Sequence, residues 1–254
     1  MRKLFIFDID GTLTPSRQKM SLEFQQFFRD WSDKNDYFLV TGSDIEKTKE
    51  QIPEFVIKKA EGIFTCCGNV FYKNKILNIG STQEIHTSKV YEHTFTLPKH
   101  IEQFLYIMLD NSKYPHRYGN HVENRGSMVN FSIVGRDCNL EQRKHFFEWD
   151  EKNKERQKIA DIIKTKSPVL DASLGGQISI DIHEKDMDKS QILYHIKNNY
   201  TELVDNYVFI GDKVKEGGND YPLAYLLQEN TNNGIVYETK NPENTMKILK
   251  ELND

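Results

Sequence analysis

The chain has 254 residues, 37% hydrophobic and 28% charged, with a formal net charge of -4. That length suits one large or two modest domains with a sizeable core, and the charge carries no general footprint for nucleic acid or an anionic membrane. No apolar run reaches a membrane span, and the stretch after Met1-Arg2-Lys3 meets Asp8 too early for a signal peptide. Cys66, Cys67 and Cys138 match neither zinc spacing nor a disulfide framework, so the expectation is a cytoplasmic protein with reduced thiols, no nucleic-acid partner and no membrane.

In chain order, Leu4–Phe7 is expected as a strand, and Leu22–Trp31 as a helix with Leu22, Phe24, Phe27, Phe28 and Trp31 at helical spacing. Tyr37–Val40 reads as a second strand and Asp44–Gln51 as a helix closed by Pro53. Ile63–Cys66, Val70–Tyr72 and Ile76–Ile79 read as short strands joined by turns. This βαβ rhythm predicts a parallel sheet with flanking helices.

The middle changes character. Leu97–Leu109 reads as an amphipathic helix with Pro98 in its first turn, and Leu140–Ile163 as one long charged helix. Met128–Val134 and Gln177–Ile182 alternate like strands. The expected module is α+β with an antiparallel sheet, inserted into the first domain. The first rhythm then resumes with a helix over Lys189–Ile196, a strand over Tyr207–Ile210, a helix over Tyr221–Leu227, a strand over Gly234–Tyr237 and a last helix near Thr245–Leu252. The division expected is an α/β core of 1–82 plus 187–254 and a cap of 83–186.

Four pieces carry chemistry. The first strand runs into Asp8-Ile9-Asp10-Gly11-Thr12. Strand alternation predicts that Asp8 and Asp10 share one face, at the sheet edge where α/β proteins bind ligands. One carboxylate can attack as a nucleophile while a metal screens its charge, and its neighbour can move a proton. The second piece, Thr41-Gly42-Ser43-Asp44, offers hydroxyls to a phosphate oxygen, with a helix N-cap as the rival role for Ser43. In the third, Asp188-Lys189, an ammonium could neutralise phosphate and keep the nucleophile ionised. The fourth is Gly211-Asp212 followed by Gly217-Gly218-Asn219-Asp220. Carboxylates converging there would repel unless a hard divalent cation such as Mg²⁺ sat among them.

This order of motifs resembles the haloacid dehalogenase superfamily of aspartate-nucleophile phosphotransferases, with a Rossmann-like core and a C2-type cap. More narrowly, three stretches are similar to the eukaryotic-type α-phosphomannomutases: Asp8 through Lys19, Gly175-Gly-Gln-Ile-Ser179-Ile-Asp181, and Gly211 through Tyr221. The resemblance implies Asp8 as nucleophile and Asp10 as general acid and base, with Lys189, Thr41 and Ser43 assisting. It implies Mg²⁺ held by Asp8, the Asp10 backbone carbonyl and Asp212, with Asp220 close by. Arg125, Arg136 and Arg143, eleven and then seven residues apart, would bind the distal phosphate with their planar forks. Ser179 and Asp181 would meet sugar hydroxyls, and Arg17 would reach substrate from the core.

The implied reaction interconverts mannose 1-phosphate and mannose 6-phosphate through an aspartyl-phosphate, with hexose 1,6-bisphosphate as activator, and feeds GDP-mannose synthesis. The implied assembly is a homodimer through the cap. The chain departs from the family pattern at Cys67-Gly68-Asn69, where Glu-Asn-Gly is usual. Pro222–Asn230 stands in place of an acidic loop, so a second, structural cation is not carried over. A sugar-phosphate phosphatase shares the core motifs and is the competing reading; a non-catalytic sensor would usually have lost one of the four carboxylates.

Overall fold

The computed structural model describes residues 2–79, 82–200 and 202–253. The chain runs β1 (Lys3–Asp8), α1 (Leu22–Ser32), β2 (Asp36–Val40), α2 (Ile45–Gln51), α3 (Glu54–Lys59), β3 (Gly62–Thr65), β4 (Val70–Ile79) and β5 (Thr82–Glu92). It continues with α4 (Lys99–Asn111), β6 (Val122–Asn124), β7 (Val129–Phe131), α5 (Leu140–Asn153), α6 (Glu155–Lys166), β8 (Leu170–Gly175) and β9 (Ser179–Glu184). The last stretch is α7 (Gln191–Asn199), β10 (Asn206–Gly211), α8 (Tyr221–Asn230), β11 (Gly234–Glu238) and α9 (Pro242–Asn253).

A seven-stranded sheet has the order β11-β10-β1-β2-β3-β4-β5, parallel from β11 to β3 and antiparallel across β4 and β5. β1 lies inside it and is apolar on both faces, as a doubly covered parallel strand must be. Phe5 and Phe7 enter a core with Phe24, Phe28 and Trp31 of α1, Val56 of α3 and Leu249 of α9. Leu4 and Ile6 enter the opposite core with Ile192 and Ile196 of α7 and Leu223 and Leu227 of α8. Asp8 continues the Leu4–Ile6 side of the strand, and this decides which groups it meets.

The second sheet, β6-β7-β9-β8, is antiparallel throughout. Val129, Phe131, Ile180 and Ile182 pack with Leu105, Phe146, Ile159 and Ile163 of α4 to α6. The alternate positions Asn130, Ser179 and Asp181 line a cleft against the first sheet. Polar side chains on one face and apolar on the other are what a sheet with one helix-covered face requires.

Three expectations change. Val70–Tyr72 and Ile76–Ile79 are parts of one strand, β4, which forms a long hairpin with the unanticipated β5. The border expected at 82/83 therefore falls within β5, a member of the seven-stranded sheet. Leu140–Ile163 is two helices broken at left-handed Lys154 (φ 52°). The buried Asp150 carboxylate accepts the N–H groups of Glu155 and Arg156 at 2.9 and 3.0 Å and the Arg156 Nε at 2.7 Å, so it caps the second helix from inside. No helix among the described residues is long and apolar enough to cross a membrane.

Candidate active site

Asp8 ends β1 on the side covered by α7 and α8, and the turns preceding those two helices close on it. Lys189 lies in the turn before α7, two residues ahead of the helix itself, and Asp220 is the residue before α8. The fully buried Lys189 ammonium donates to Asp8 Oδ1 and to Asp220 Oδ1, both at 2.6 Å. The second oxygen of Asp220 accepts the Lys213 N–H at 3.0 Å, so both of its oxygens are engaged. Burial pulls the Lys189 pKa down, but Asp220 and then Asp8 outweigh it and leave it well above the usual range. Burial raises Asp8 well above the usual carboxylate range, Lys189 pulls it back, and Asp220 and Asp212 add to the rise.

Asp212 follows β10, the neighbour of β1, and burial together with Asp220 pushes it up to about 7. Its approach depends on Gly11: a Cβ there would stand 2.4 Å from Asp212 Oδ2, and the φ of +89° also favours glycine. The carboxylates of Asp8, Asp212 and Asp220 have oxygens within 4.8 Å of one another. Three carboxylates against one ammonium leave an excess of two negative charges on hard oxygen donors, a set that fits a divalent cation.

β1 stops at Asp8, so strand alternation does not itself carry Asp10, yet both carboxylates line one cleft. Asp10 bridges to Thr14 in the following turn. Its Oδ1 accepts the Arg17 N–H at 2.8 Å and the Gln51 Nε2 at 2.9 Å, and it lines the cleft with Asp8 and Asp212. Thr41 and Ser43 line the same cleft, and Thr41 Oγ1 accepts the Ser43 N–H at 3.0 Å. The rival role for Ser43 is excluded: the N-cap of α2 is Asp44, whose carboxylate accepts the Lys47 N–H at 2.8 Å.

The opposite wall comes from the second sheet and α5. Arg125, Arg136, Arg143, Ser179 and Asp181 all line the cleft with Arg17. Arg136 Nη1 donates to Ser179 Oγ at 2.6 Å, and Arg125 Nη1 donates to the Gly42 carbonyl at 2.5 Å across the cleft. Asn130 Nδ2 donates to buried Asp181 at 2.6 Å; burial raises the pKa of Asp181 and Arg125 opposes the rise. Arg143 is buried with Nε and Nη1 lacking a hydrogen-bond partner among the described residues, and burial with nearby Arg17 lowers its pKa. Such orphaned donors suit an anion that completes them.

Sequence reasoning missed Gln51, Asn130, Asn219 and Glu123. Asn130 and Asn219 lie inside stretches already singled out, and Glu123 stands two residues before Arg125; nothing local marks Gln51, which reaches Asp10 from the end of α2.

A parallel sheet with a separate antiparallel sheet, and an acidic cluster across a cleft from an arginine cluster, define a two-module α/β fold with a site suited to a phosphate. Among solved structures, the chain superposes on an IMP-nucleotidase of Plasmodium falciparum with a TM-score of 0.61 at 16% identity, covering 99% of this chain and 68% of that one. A sugar phosphatase described as a haloacid dehalogenase of subclass IIB gives 0.57 at 14% identity, covering 100% and 99%. These likenesses establish the fold. The family described as eukaryotic phosphomannomutase matches residues 24–254. A phosphomannomutase of Encephalitozoon cuniculi is 38% identical over 87% of this chain and 84% of its own length, and phosphomannomutase 1 of Mus musculus is 31% identical over 99% and 92%. The chain belongs to the eukaryotic phosphomannomutase family.

Proposed function

We propose that this protein is a phosphomannomutase that interconverts mannose 1-phosphate and mannose 6-phosphate through an enzyme-bound phosphoryl group on Asp8. One observation carries the reading: a single cleft has a nucleophilic carboxylate with its acidic cluster on one wall and three arginines on the other. A hydrolase of monophosphates needs only the first wall; a mutase must also grip the phosphate that is not reacting.

In this reading an Asp8 oxygen attacks the phosphorus of the bisphosphate, an aspartyl-phosphate forms, and the sugar oxygen leaves with a proton from Asp10. Asp10 then takes the proton of the free hydroxyl of the incoming mannose 1-phosphate, and that oxygen recovers the phosphoryl group from Asp8. The bisphosphate so formed turns round and gives its other phosphoryl group to Asp8, leaving as mannose 6-phosphate. Mg²⁺, held by Asp8 and Asp212 with Asp220 behind them, would screen the charge between carboxylate and phosphate. Lys189 would steady Asp8, while Thr41 and Ser43 would donate to phosphoryl oxygens. Arg125, Arg136 and Arg143 would hold the distal phosphate, with Ser179, Asp181 and Arg17 on the sugar. Most of the rate would come from positioning and charge neutralisation. The lid is the module built on the four-stranded sheet; seated on the core, it would keep water from the aspartyl-phosphate.

The proposal extends to a cytoplasmic homodimer paired through that lid, activated by hexose 1,6-bisphosphate and supplying mannose 1-phosphate for GDP-mannose synthesis. The decisive assay mixes protein, Mg²⁺, mannose 1-phosphate and a catalytic amount of hexose 1,6-bisphosphate. Mannose 6-phosphate should accumulate to equilibrium. Free phosphate released in step with substrate loss, with no 6-phosphate formed, would overturn the reading.

A further inference from the structure

Glu123 belongs to β6 and does not line the cleft; it stands behind two of the arginines that do. Its Oε2 accepts from Arg125 Nε at 3.0 Å and Nη2 at 2.6 Å, and pairs by charge alone with Arg136 Nε 3.3 Å away, which makes no hydrogen bond. Its Oε1 accepts from the Lys47 ammonium, 2.5 Å away on α2 of the other sheet's layer. One carboxylate thus joins two arginines of the lid to a helix of the core. The bond from Arg125 to the Gly42 carbonyl crosses the same junction.

The charges explain the arrangement. Lys47, Arg125 and Arg136 share Glu123, and Lys47 also lies 3.5 Å from Asp44, so three cations against two carboxylates keep a positive excess that suits a phosphate. A guanidinium recognises phosphate through the direction of its planar fork, and a fork held along one edge presents the other in a fixed direction. Burial raises the Glu123 pKa, but Arg125 and then Lys47 bring it below the ordinary range, so the carboxylate is ionised whenever the cluster is assembled.

We propose that Glu123 is the positioning residue of the arginine grip: it fixes the fork of Arg125, sets a counter-charge beside Arg136 and, through Lys47, ties that grip to the core when the lid is seated. The inference rests on reading those arginines as the holders of the second phosphate. Neutralising Glu123 adds net positive charge, which alone would favour phosphate. The lost orientation outweighs that gain, because the three cations no longer share a counter-charge and move apart.

The test compares Glu123→Gln, Glu123→Asp, Lys47→Met and the Glu123→Gln/Lys47→Met pair. Each is assayed with mannose 1-phosphate plus catalytic bisphosphate, and with p-nitrophenyl phosphate, a phosphoryl donor lacking a second phosphate. Glu123→Gln should raise the KM for the hexose phosphate about tenfold, change kcat less than about threefold and leave the aryl phosphate within about twofold. Glu123→Asp should recover most of the KM. The double variant should be no worse than Glu123→Gln by more than about twofold, since Lys47 acts through Glu123. Equal losses on both substrates would make Glu123 merely structural, and an unchanged hexose KM would remove it from the grip. Multiplying effects in the double variant would break the link to Lys47. Calorimetric titration with mannose 6-phosphate reads the same grip without turnover. A parent protein that binds it, with about tenfold weaker binding in Glu123→Gln, keeps this inference even if mutase activity is absent.

Discussion

The Lys189 ammonium lies 2.6 Å from Asp8 and 2.6 Å from Asp220, buried completely between them. It is the only side-chain cation paired with either carboxylate among the described residues, so the charge on Asp8 depends on it. Lys189→Met would leave two buried carboxylates without their counter-charge, a loss that typically costs about 3–5 kcal/mol. Urea unfolding in the absence of divalent cations should show a decrease of that order. Turnover should fall by about 10²-fold or more, since a positioned charge at the reacting centre is lost. A variant as stable and active as the parent would mean that the ammonium is not what holds Asp8 in place.

Asp212 gives the pH dependence its sign. Burial and Asp220 hold its pKa at about 7, above the unfolded value of about 3.9. Between those two values the folded protein keeps a proton that the unfolded chain releases. This group therefore costs stability as pH rises through that window, with the full cost present above pH 7. A divalent cation requires the ionised form, so its effect runs the opposite way. The rise in melting temperature on adding Mg²⁺ should be small near pH 5.5, grow through neutrality and level off at about pH 8. Asp212→Asn should flatten that profile. An equal Mg²⁺ shift at every pH would take Asp212 out of the cation site.

Asp10 is held by the Arg17 N–H and the Gln51 amide, and neither contact involves the acidic cluster. Asp10→Asn should therefore leave the Mg²⁺-induced melting shift intact while turnover falls by about 10²–10⁴-fold, the usual worth of a general acid and base. Rapid-quench measurement of phosphoryl transfer in each direction would locate the loss. Undiminished turnover would remove Asp10 from proton transfer. Gln51→Leu should have a smaller effect in the same direction, because it loosens the carboxylate without removing it.

Much of this site was legible because its residues fall at strand ends, where a run of buried apolar side chains gives way to Asp8 or Asp212. The partners of Lys189 follow from strand parity: Asp8 continues the Leu4–Ile6 side, and that side is covered by α7 and α8. At Asp10 parity is not what places the side chain, because β1 stops at Asp8; the turn after it brings Asp10 to the same cleft. β5 escaped notice since its outer arm, His86-Thr87-Ser88-Lys89, carries little apolar alternation; pairing with β4 makes it a strand. The break at Lys154 has no glycine or proline to announce it. It depends on Asp150, a buried carboxylate whose role appears only once α6 turns back onto it. Glu123 and Gln51 were equally silent, because each matters through a residue on the opposite side of a domain junction or turn.

Arg143 offers the sharpest separation of stability from function. It is buried on α5, with Nε and Nη1 lacking partners among the described residues, and Arg17 is a like charge nearby. A buried guanidinium in that condition destabilises the fold, because two of its three nitrogens are desolvated with no hydrogen bond to repay them. Arg143→Met keeps much of the side chain's length and removes the charge. The variant should unfold at the parent's free energy or up to about 2 kcal/mol above it, while its KM for mannose 1-phosphate rises about tenfold or more. Sulfate or phosphate should raise the melting temperature of the parent more than that of the variant, since an anion at the grip completes donors that only the parent has. If instead the variant loses more than about 1 kcal/mol of stability with an unchanged KM, Arg143 is a structural prop and its orphaned donors do not face a phosphate.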